Sequence, residues 1–221
     1  MQYQHTPYRN PQRKQPHTNV VTVGGEGIVI VNPDEALLRV GVTTERPNLQ
    51  VAQQENADVS NRIVFALHQL GIPPQNIQTS QYVVRPQYNY VDGIQTLRGY
   101  SVEHFFQVLV NDLTIIGDLY RVAIESGANY TEDLQFRISN PEQFEKQALK
   151  KAILHAKGKA IEIAQTIGVT LNPIPIIVTE ELKQQIQPFQ GSYQSFSAAV
   201  PPIQSGQIIL HSFVTATFEY F

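Results

Sequence analysis

The sequence predicts an α+β fold in which a largely antiparallel sheet of hairpins carries about three helices, in the order β-β-α-β-β-α-β-α-β-β. Two patterns support this prediction. Apolar and polar residues alternate over residues 36–45, as in a half-buried strand, whereas over residues 49–70 the apolar residues recur with a helical period. The chain has 221 residues, which is enough to bury a large core without disulfide bonds or a structural metal.

The first strand contains an unusual glycine cluster. Residues 20–31 are mostly apolar and are interrupted at Gly24-Gly25-Glu26-Gly27, so we expect two strand halves that meet at a flexible or bulged segment. A phosphate-binding loop is the alternative, but its glycines must lead into a helix N-terminus, and here a strand-like run over residues 28–31 follows. After a turn at Asn32-Pro33-Asp34, this strand is expected to form a hairpin with residues 36–45.

The remaining elements follow from similar patterns. A second hairpin is predicted with arms at about 77–89 and 97–110, and helices at 49–70, at 114–126 and from Pro141 onward. The longest helix has a predicted buried stripe that is mostly alanine, which would let it approach a sheet or another helix closely: Phe144, Ala148, Ala152, Ala156, Ala160, Ile163 and Ile167. In the first helix, Asn56 lies on the apolar stripe, so we expect its side chain to bond to neighbouring backbone.

The two segments of lowest complexity lie at the N-terminus and near the C-terminus. Residues 1–18 are predicted to be a disordered polar tail, and residues 19–221 a single domain with a long Gln/Ser/Pro loop at about 183–206. The N-terminal segment lacks the apolar core of a secretory signal, and no apolar run approaches the roughly 18 residues of a membrane span. From composition alone we therefore expect a cytoplasmic protein.

Several phrases, taken in order along the chain, carry a family resemblance. They resemble those of the SIMPL domain family, which includes bacterial proteins described as periplasmic immunogenic or oxidative stress defence proteins. The resemblance covers residues 20–221 and implies a sheet with long helices packed on it and a link to stress responses, with no known catalytic residue. The matching phrases are residues 21–27 with 33–36, 85–88 with 99–100, 127–129 with 136–139, 148–168, and 202–206 before the last strand.

Composition excludes several functional classes. The chain has no cysteine, so a disulfide framework, a zinc-thiolate site and a thiol nucleophile are absent. Its six histidines lack ligand spacing, and a metal site shared by His104 and His211, which lie on predicted strands, would require those two strands to approach each other. The formal net charge of −3 disfavours nucleic acid. We predict no catalytic residue, no cofactor and no metal site.

Two surfaces are predicted to make contacts. Phe189, Tyr193 and Phe196, in the uncharged loop, are candidate anchors for a partner or a second copy. Lys146, Lys150 and Lys157 make one side of the long helix basic, for which a solvated face is expected and an acidic partner is the alternative.

We therefore predict a non-enzymatic protein that acts through protein binding or self-assembly as a homo-oligomer. The alternative is a small-molecule or metal-binding module with a pocket between the sheet and the long helix. The long strands favour the first hypothesis, because an uncovered sheet edge is prone to pair with another chain.

Overall fold

The computed structural model describes residues 19–91, 93–181, 187–188 and 203–221. They fall into two compact units. One contains residues 19–28, 146–181 and 211–221, and the other contains residues 29–91, 93–145, 187–188 and 203–210. The predicted tail at 1–18 and most of the predicted loop at 183–206 lie outside the described residues.

The predicted α+β fold is confirmed. The strands are β1 (Val20–Val31), β2 (Glu35–Arg46), β3 (Ile77–Val91), β4 (Ile94–Val110), β5 (Tyr130–Arg137), β6 (Ile177–Glu181), β7 (Gln187–Pro188) and β8 (Ile208–Glu219). The helices are α1 (Leu49–Gln69), α2 (Ile116–Glu125) and α3 (Pro141–Ile167), with 3-10 turns at Pro74–Asn76 and Leu113–Ile115. Over the described residues, the order of strands and α-helices differs from the prediction only by the two-residue strand β7.

The strands of the described residues form two sheets. In sheet A the order is β1-β8-β6, with β7 also paired to β8, and in sheet B it is β3-β4-β2-β5. The predicted β3–β4 hairpin is confirmed. The predicted β1–β2 hairpin is wrong, because β1 pairs with β8 whereas β2 lies between β4 and β5.

The start of β2 is tied to the end of β5. The backbone N–H of Asp34 donates to the carbonyl oxygen of Arg137 at 3.1 Å. The Asp34 carboxylate accepts the backbone N–H of Ser139 at 2.7 Å and its hydroxyl at 2.6 Å. These two bonds favour the ionised carboxylate and lower the pKa of Asp34. The turn at residues 32–34 therefore directs the chain into sheet B instead of back along β1.

The core of sheet B packs against α1 and α2. Its largest fully buried aliphatic side chains come from strands and helices alike: Leu38, Val40, Val108 and Val110 from the strands, and Ile63, Leu67, Ile116 and Leu119 from the helices. Truncating one such leucine or isoleucine to alanine removes about 2–5 kcal/mol of stability. This packing holds β2 and the part of β4 that pairs with it against the two helices.

Helix α3 has a stripe of alanines at a spacing of four residues. Ala148, Ala152, Ala156, Ala160 and Ala164 are buried. The prediction that Ile163 and Ile167 complete this stripe is wrong, because they are 39% and 55% exposed. The stripe continues at every fourth residue, so Ala164 occupies the buried position next to Ile163.

Candidate functional site

The glycine cluster lies within one continuous strand. β1 has no break at residues 24–27, and alternate residues face inward, among them Gly25 and Gly27. A Cβ atom on Gly25 would lie 2.1 Å from the carbonyl oxygen of Ala152. The predicted strand halves are therefore wrong, and the glycines serve close packing of β1 against α3. The prediction that the alanine stripe permits a close approach is confirmed.

The outer edge of β1 is covered by side chains of α3. Lys151 Nζ donates to the carbonyl oxygen of Ile28 at 2.8 Å, and Lys159 Nζ donates to that of Gly24 at 2.9 Å. Between them, Nδ1 of His155 lies 3.1 Å from the backbone nitrogen of Glu26 and 3.0 Å from its carbonyl oxygen. Three side chains of α3, spaced four residues apart, thus contact the backbone of Gly24, Glu26 and Ile28, which are alternate residues of an edge strand. We call these three residues the β1 guard.

The lysines of α3 differ in whether they bond to β1. Lys151 and Lys159, which neighbour the predicted residues, bond to β1. Lys146 and Lys150 are exposed, and Lys157 is half-buried. An acidic partner for these three lysines stays a prediction.

The opposite end of sheet A is open over the described residues. β6 pairs with β8 on one side, and all five of its residues are exposed. Ile177 and Val178 are 56% and 45% exposed, and Ile174 and Ile176 just before the strand are exposed as well. This edge therefore combines accessible backbone with apolar side chains, and no described side chain bonds to its outer backbone.

The two strand histidines have separate sets of partners. Nδ1 of His211 lies 3.1 Å from Oε1 of Glu26 in sheet A. His104 lies in the other unit, where it contacts Ser60 and Thr79. Among the described residues, no group of three or more His, Asp or Glu side chains is placed to hold a metal ion.

Asn56 is fully buried and bonded to strand backbone, as predicted. Its Nδ2 donates to the carbonyl oxygens of Val102 at 2.8 Å and Val42 at 3.2 Å. This fixes the orientation of the carboxamide and leaves Oδ1 facing the hydroxyl of Ser60 at 3.4 Å. The amide thus links α1 to two strands of sheet B.

The same network continues to the surface through His104. Because the Ser60 hydroxyl donates its proton to Asn56, it accepts one from Nδ1 of His104 at 3.0 Å. Nε2 of the neutral ring then accepts the hydroxyl proton of the exposed Thr79 at 3.1 Å. Burial disfavours the charged ring and lowers the pKa of His104 below its ordinary value of 6.5.

The most exposed part of sheet B is the end of the β3–β4 hairpin. β2 pairs with β4 only as far as Tyr100, so residues 87–91 and 94–99 form a two-stranded ribbon, which we call the arm. Tyr88 lies opposite Leu97, and Tyr90 follows two residues after Tyr88 on the same face. These three side chains are between 46% and 74% exposed.

The root of the arm, where the ribbon joins sheet B, contacts the end of β2. Gly99 is buried, and a Cβ atom there would lie 2.6 Å from the carbonyl oxygen of Arg46, so the ribbon leaves the sheet in close contact with the end of β2. Arg98 forms an ion pair with Glu45. A cavity of about 280 Å³ lies at this root and is lined by the same residues, together with Pro47, Gln87 and Tyr100.

Two further cavities, of about 290 and 190 Å³, lie on sheet B and share Leu37 and Gln107. None of these three cavities is lined by α3. A small-molecule pocket beside α3, the alternative hypothesis, therefore gains no support from them and stays a prediction. The predicted contact residues Phe189, Tyr193 and Phe196 lie outside the described residues.

Sequence reasoning predicted the hairpin but missed the exposed residues of its arm. The available signal was length, because β4 has 17 residues whereas β2, its neighbour, has 12. The open edge of β6 was missed as well, since its exposure depends on which strand is its neighbour.

Comparison with known proteins places this architecture in a family. The family model named SIMPL, described as a protein of unknown function (DUF541), matches residues 21–218. The chain belongs to the SIMPL family. The resemblance seen in the sequence is thereby confirmed.

Relatives with this SIMPL domain are described only broadly. A 26 kDa periplasmic immunogenic protein of Brucella melitensis is 28% identical over 90% of this chain and 84% of its own length. The uncharacterised protein YggE is 30% identical in Edwardsiella ictaluri, over 72% of this chain and 66% of its own length. YggE of Escherichia coli K12 is 25% identical, over 72% and 63% respectively. None of the helices in the described part of this SIMPL chain has the length and hydropathy of a membrane span.

Proposed function

We propose that this SIMPL protein works without catalysis, by self-assembly through the arm. The observation that carries the proposal is the ribbon at 87–91 and 94–99, which extends past β2 and exposes Tyr88, Tyr90 and Leu97 on one face. A two-stranded ribbon is only marginally stable by itself in water. Covering its apolar face would stabilise it, and tyrosine is well suited to such contacts because it combines a large apolar ring with a polar hydroxyl.

A second copy of the chain is the proposed occupant of this face. Between residues 87 and 99 the sequence has only two charged residues, Asp92 and Arg98, which are opposite in sign. Two arms that approach each other therefore do not repel. Packing the apolar faces of two arms together would bury the aromatic side chains of both at once.

The test compares variants on the two faces of the arm. Tyr88→Ser, Tyr90→Ser and Leu97→Ser together should lower the mass measured by size-exclusion chromatography with light scattering. Asn89→Ser and Thr96→Ser, which change a pair on the other face, are the matched control and should leave the mass unchanged. If the first variant keeps the mass of the parent protein, the arm is not an assembly surface.

The compartment is a separate part of the proposal. The Brucella melitensis relative is named as periplasmic. We propose the same compartment for this chain, in place of the cytoplasmic location expected from composition. Cell fractionation of the native host, with immunodetection of the chain, decides between the two locations.

The stress-response role implied by the family resemblance also stays a prediction. A host lacking the gene should then survive oxidant exposure less well than its parent, and re-expression should restore survival. Equal survival of both strains would remove this role.

A further inference from the structure

The two ends of sheet A differ in a way that suggests how the sheet is completed. At one end, Lys151, His155 and Lys159 occupy backbone groups of β1. At the other end, β6 is exposed over its whole length. We propose that β6 pairs antiparallel with β6 of a second copy and that the pair closes as a two-fold symmetric dimer. The β6 dimer rests on the proposed function in one respect only, namely that the protein self-assembles.

The β1 guard explains why pairing is restricted to one end. An incoming strand at β1 would need the carbonyl oxygens of Gly24 and Ile28, which already accept lysine ammonium groups at 2.9 and 2.8 Å. It would also need backbone groups of Glu26, which contact His155. Natural proteins protect edge strands with charged side chains or a covering helix, and β1 has both.

β6 has the features of an edge that accepts a strand. Its outer backbone has no bonding side chain among the described residues, and aliphatic side chains are exposed at Ile177 and Val178 and, just before the strand, at Ile174 and Ile176. An extended strand would satisfy the backbone groups, and its alternate side chains would cover the aliphatic residues.

The sequence of β6 specifies one register that uses all five of its residues. In an antiparallel pair centred on Thr179, Ile177 lies opposite Glu181 of the other copy, and Val178 lies opposite Glu180. Thr179 lies opposite Thr179 of the other copy, and threonine pairs across strands are favourable. No two carboxylates face each other directly, whereas a pair centred on Glu180 would place like charges opposite, which is destabilising.

The resulting sheet cannot grow further along this axis. A two-fold interface uses the same surface on both copies, so each β6 is consumed. The strand order becomes β1-β8-β6-β6-β8-β1, and both ends are β1 edges covered by the guard. The asymmetry of the two edges within one chain thus limits sheet A to a pair of chains.

The test is a charge-swap at the centre of the proposed register. In the full chain, Thr179→Lys and Thr179→Glu each place like charges opposite across the two-fold axis, and each should separate the dimer. Mixed in equal amounts, the two variants place opposite charges there and should restore it. Thr179→Val, which adds no charge, is the control and should retain the dimer.

The measurement is made in a chain that also carries the three arm substitutions, so that arm contacts do not contribute. By light scattering, this background should have twice the 24.9 kDa chain mass, each charged variant should have the chain mass, and the mixture should return to twice that mass. A charged variant that keeps the dimer mass, or a mixture that stays at the chain mass, overturns the proposal.

Hydrogen exchange gives a second readout at β6. Amides of residues 177–181 that face away from β8 should be protected in the dimer and exchange faster in the charged variants. If they are protected in a monomer, the edge is covered from within the chain and the proposal fails. Failure of the arm proposal gives a different result. The variant with only the three arm substitutions would then have the same mass as the parent protein, and this comparison does not depend on the variants at Thr179.

Discussion

A Cβ atom built on Gly27 would lie 1.9 Å from the carbonyl oxygen of Ala148, closer than a carbon and an oxygen atom can approach without a bond between them. The same is true of Gly25 and Ala152 at 2.1 Å. These contacts are with helix backbone, which cannot move aside as a flexible side chain can. The spacing between β1 and α3 therefore depends on the glycines as much as on the alanines.

Gly27→Ala should destabilise the protein by at least the 1–3 kcal/mol that is typical of overpacking, because β1 must move away from α3. Gly24→Ala is the matched control. Gly24 is exposed and has no atom within 4 Å of an added Cβ, so its variant should be neutral or slightly stabilising. Urea unfolding of the two variants measures the difference, and equal stabilities would show that β1 and α3 are further apart.

The second prediction concerns the β1 guard. Lys151→Met with Lys159→Met keeps the aliphatic stems and removes the two ammonium groups that bond to Ile28 and Gly24. Exposed interactions of this kind contribute about 0.2–1 kcal/mol each, so the loss of stability should be small. The larger effect should be a faster increase of light scattering with time, because the unprotected edge can pair with other chains.

Lys150→Met with Lys157→Met is the control for the second prediction. It removes the same number of charges from the same helix, and neither residue bonds to β1. Its light scattering should stay near that of the parent protein. If both double variants aggregate alike, net charge accounts for the effect and the guard has no specific role.

The sequence predicted features that depend on local pattern and missed those that depend on distant pairing. The alternation of β2, the alanine stripe of α3 and the bonding of Asn56 are each visible in a short segment. The pairing of β1 with β8 joins segments separated by most of the chain, so the adjacent β2 was the natural but wrong choice. The roles of Lys151 and Lys159 were missed for the same reason, since the edge they cover belongs to β1.

The third prediction is a pH dependence of stability that arises from His104. Burial lowers its pKa in the folded state, so the folded protein binds a proton at this site less readily than the unfolded chain. Stability from the neutral ring is therefore present above about pH 6.5, the ordinary histidine value, and is lost as the pH falls below it. His104→Gln, which cannot become charged, should flatten the dependence.

Urea unfolding of the parent protein and of His104→Gln between about pH 5 and 8 checks the third prediction. The difference between their free energies of unfolding should change across this range in the stated direction. A constant difference would mean that the histidine has the same pKa in both states.

The fourth prediction tests the buried amide that begins this network. Asn56→Leu has a similar volume but removes the donor to the carbonyl oxygens of Val42 and Val102 and the acceptor for Ser60. Each buried polar group left without a partner costs about 1–3 kcal/mol, so the variant should lose about 2–4 kcal/mol of unfolding free energy. Ser60→Ala is the comparison, because it leaves both strand carbonyls bonded and should cost about 1 kcal/mol. An Asn56→Leu variant as stable as Ser60→Ala would show that strand pairing alone satisfies those carbonyls, and that the amide does not hold α1 against sheet B.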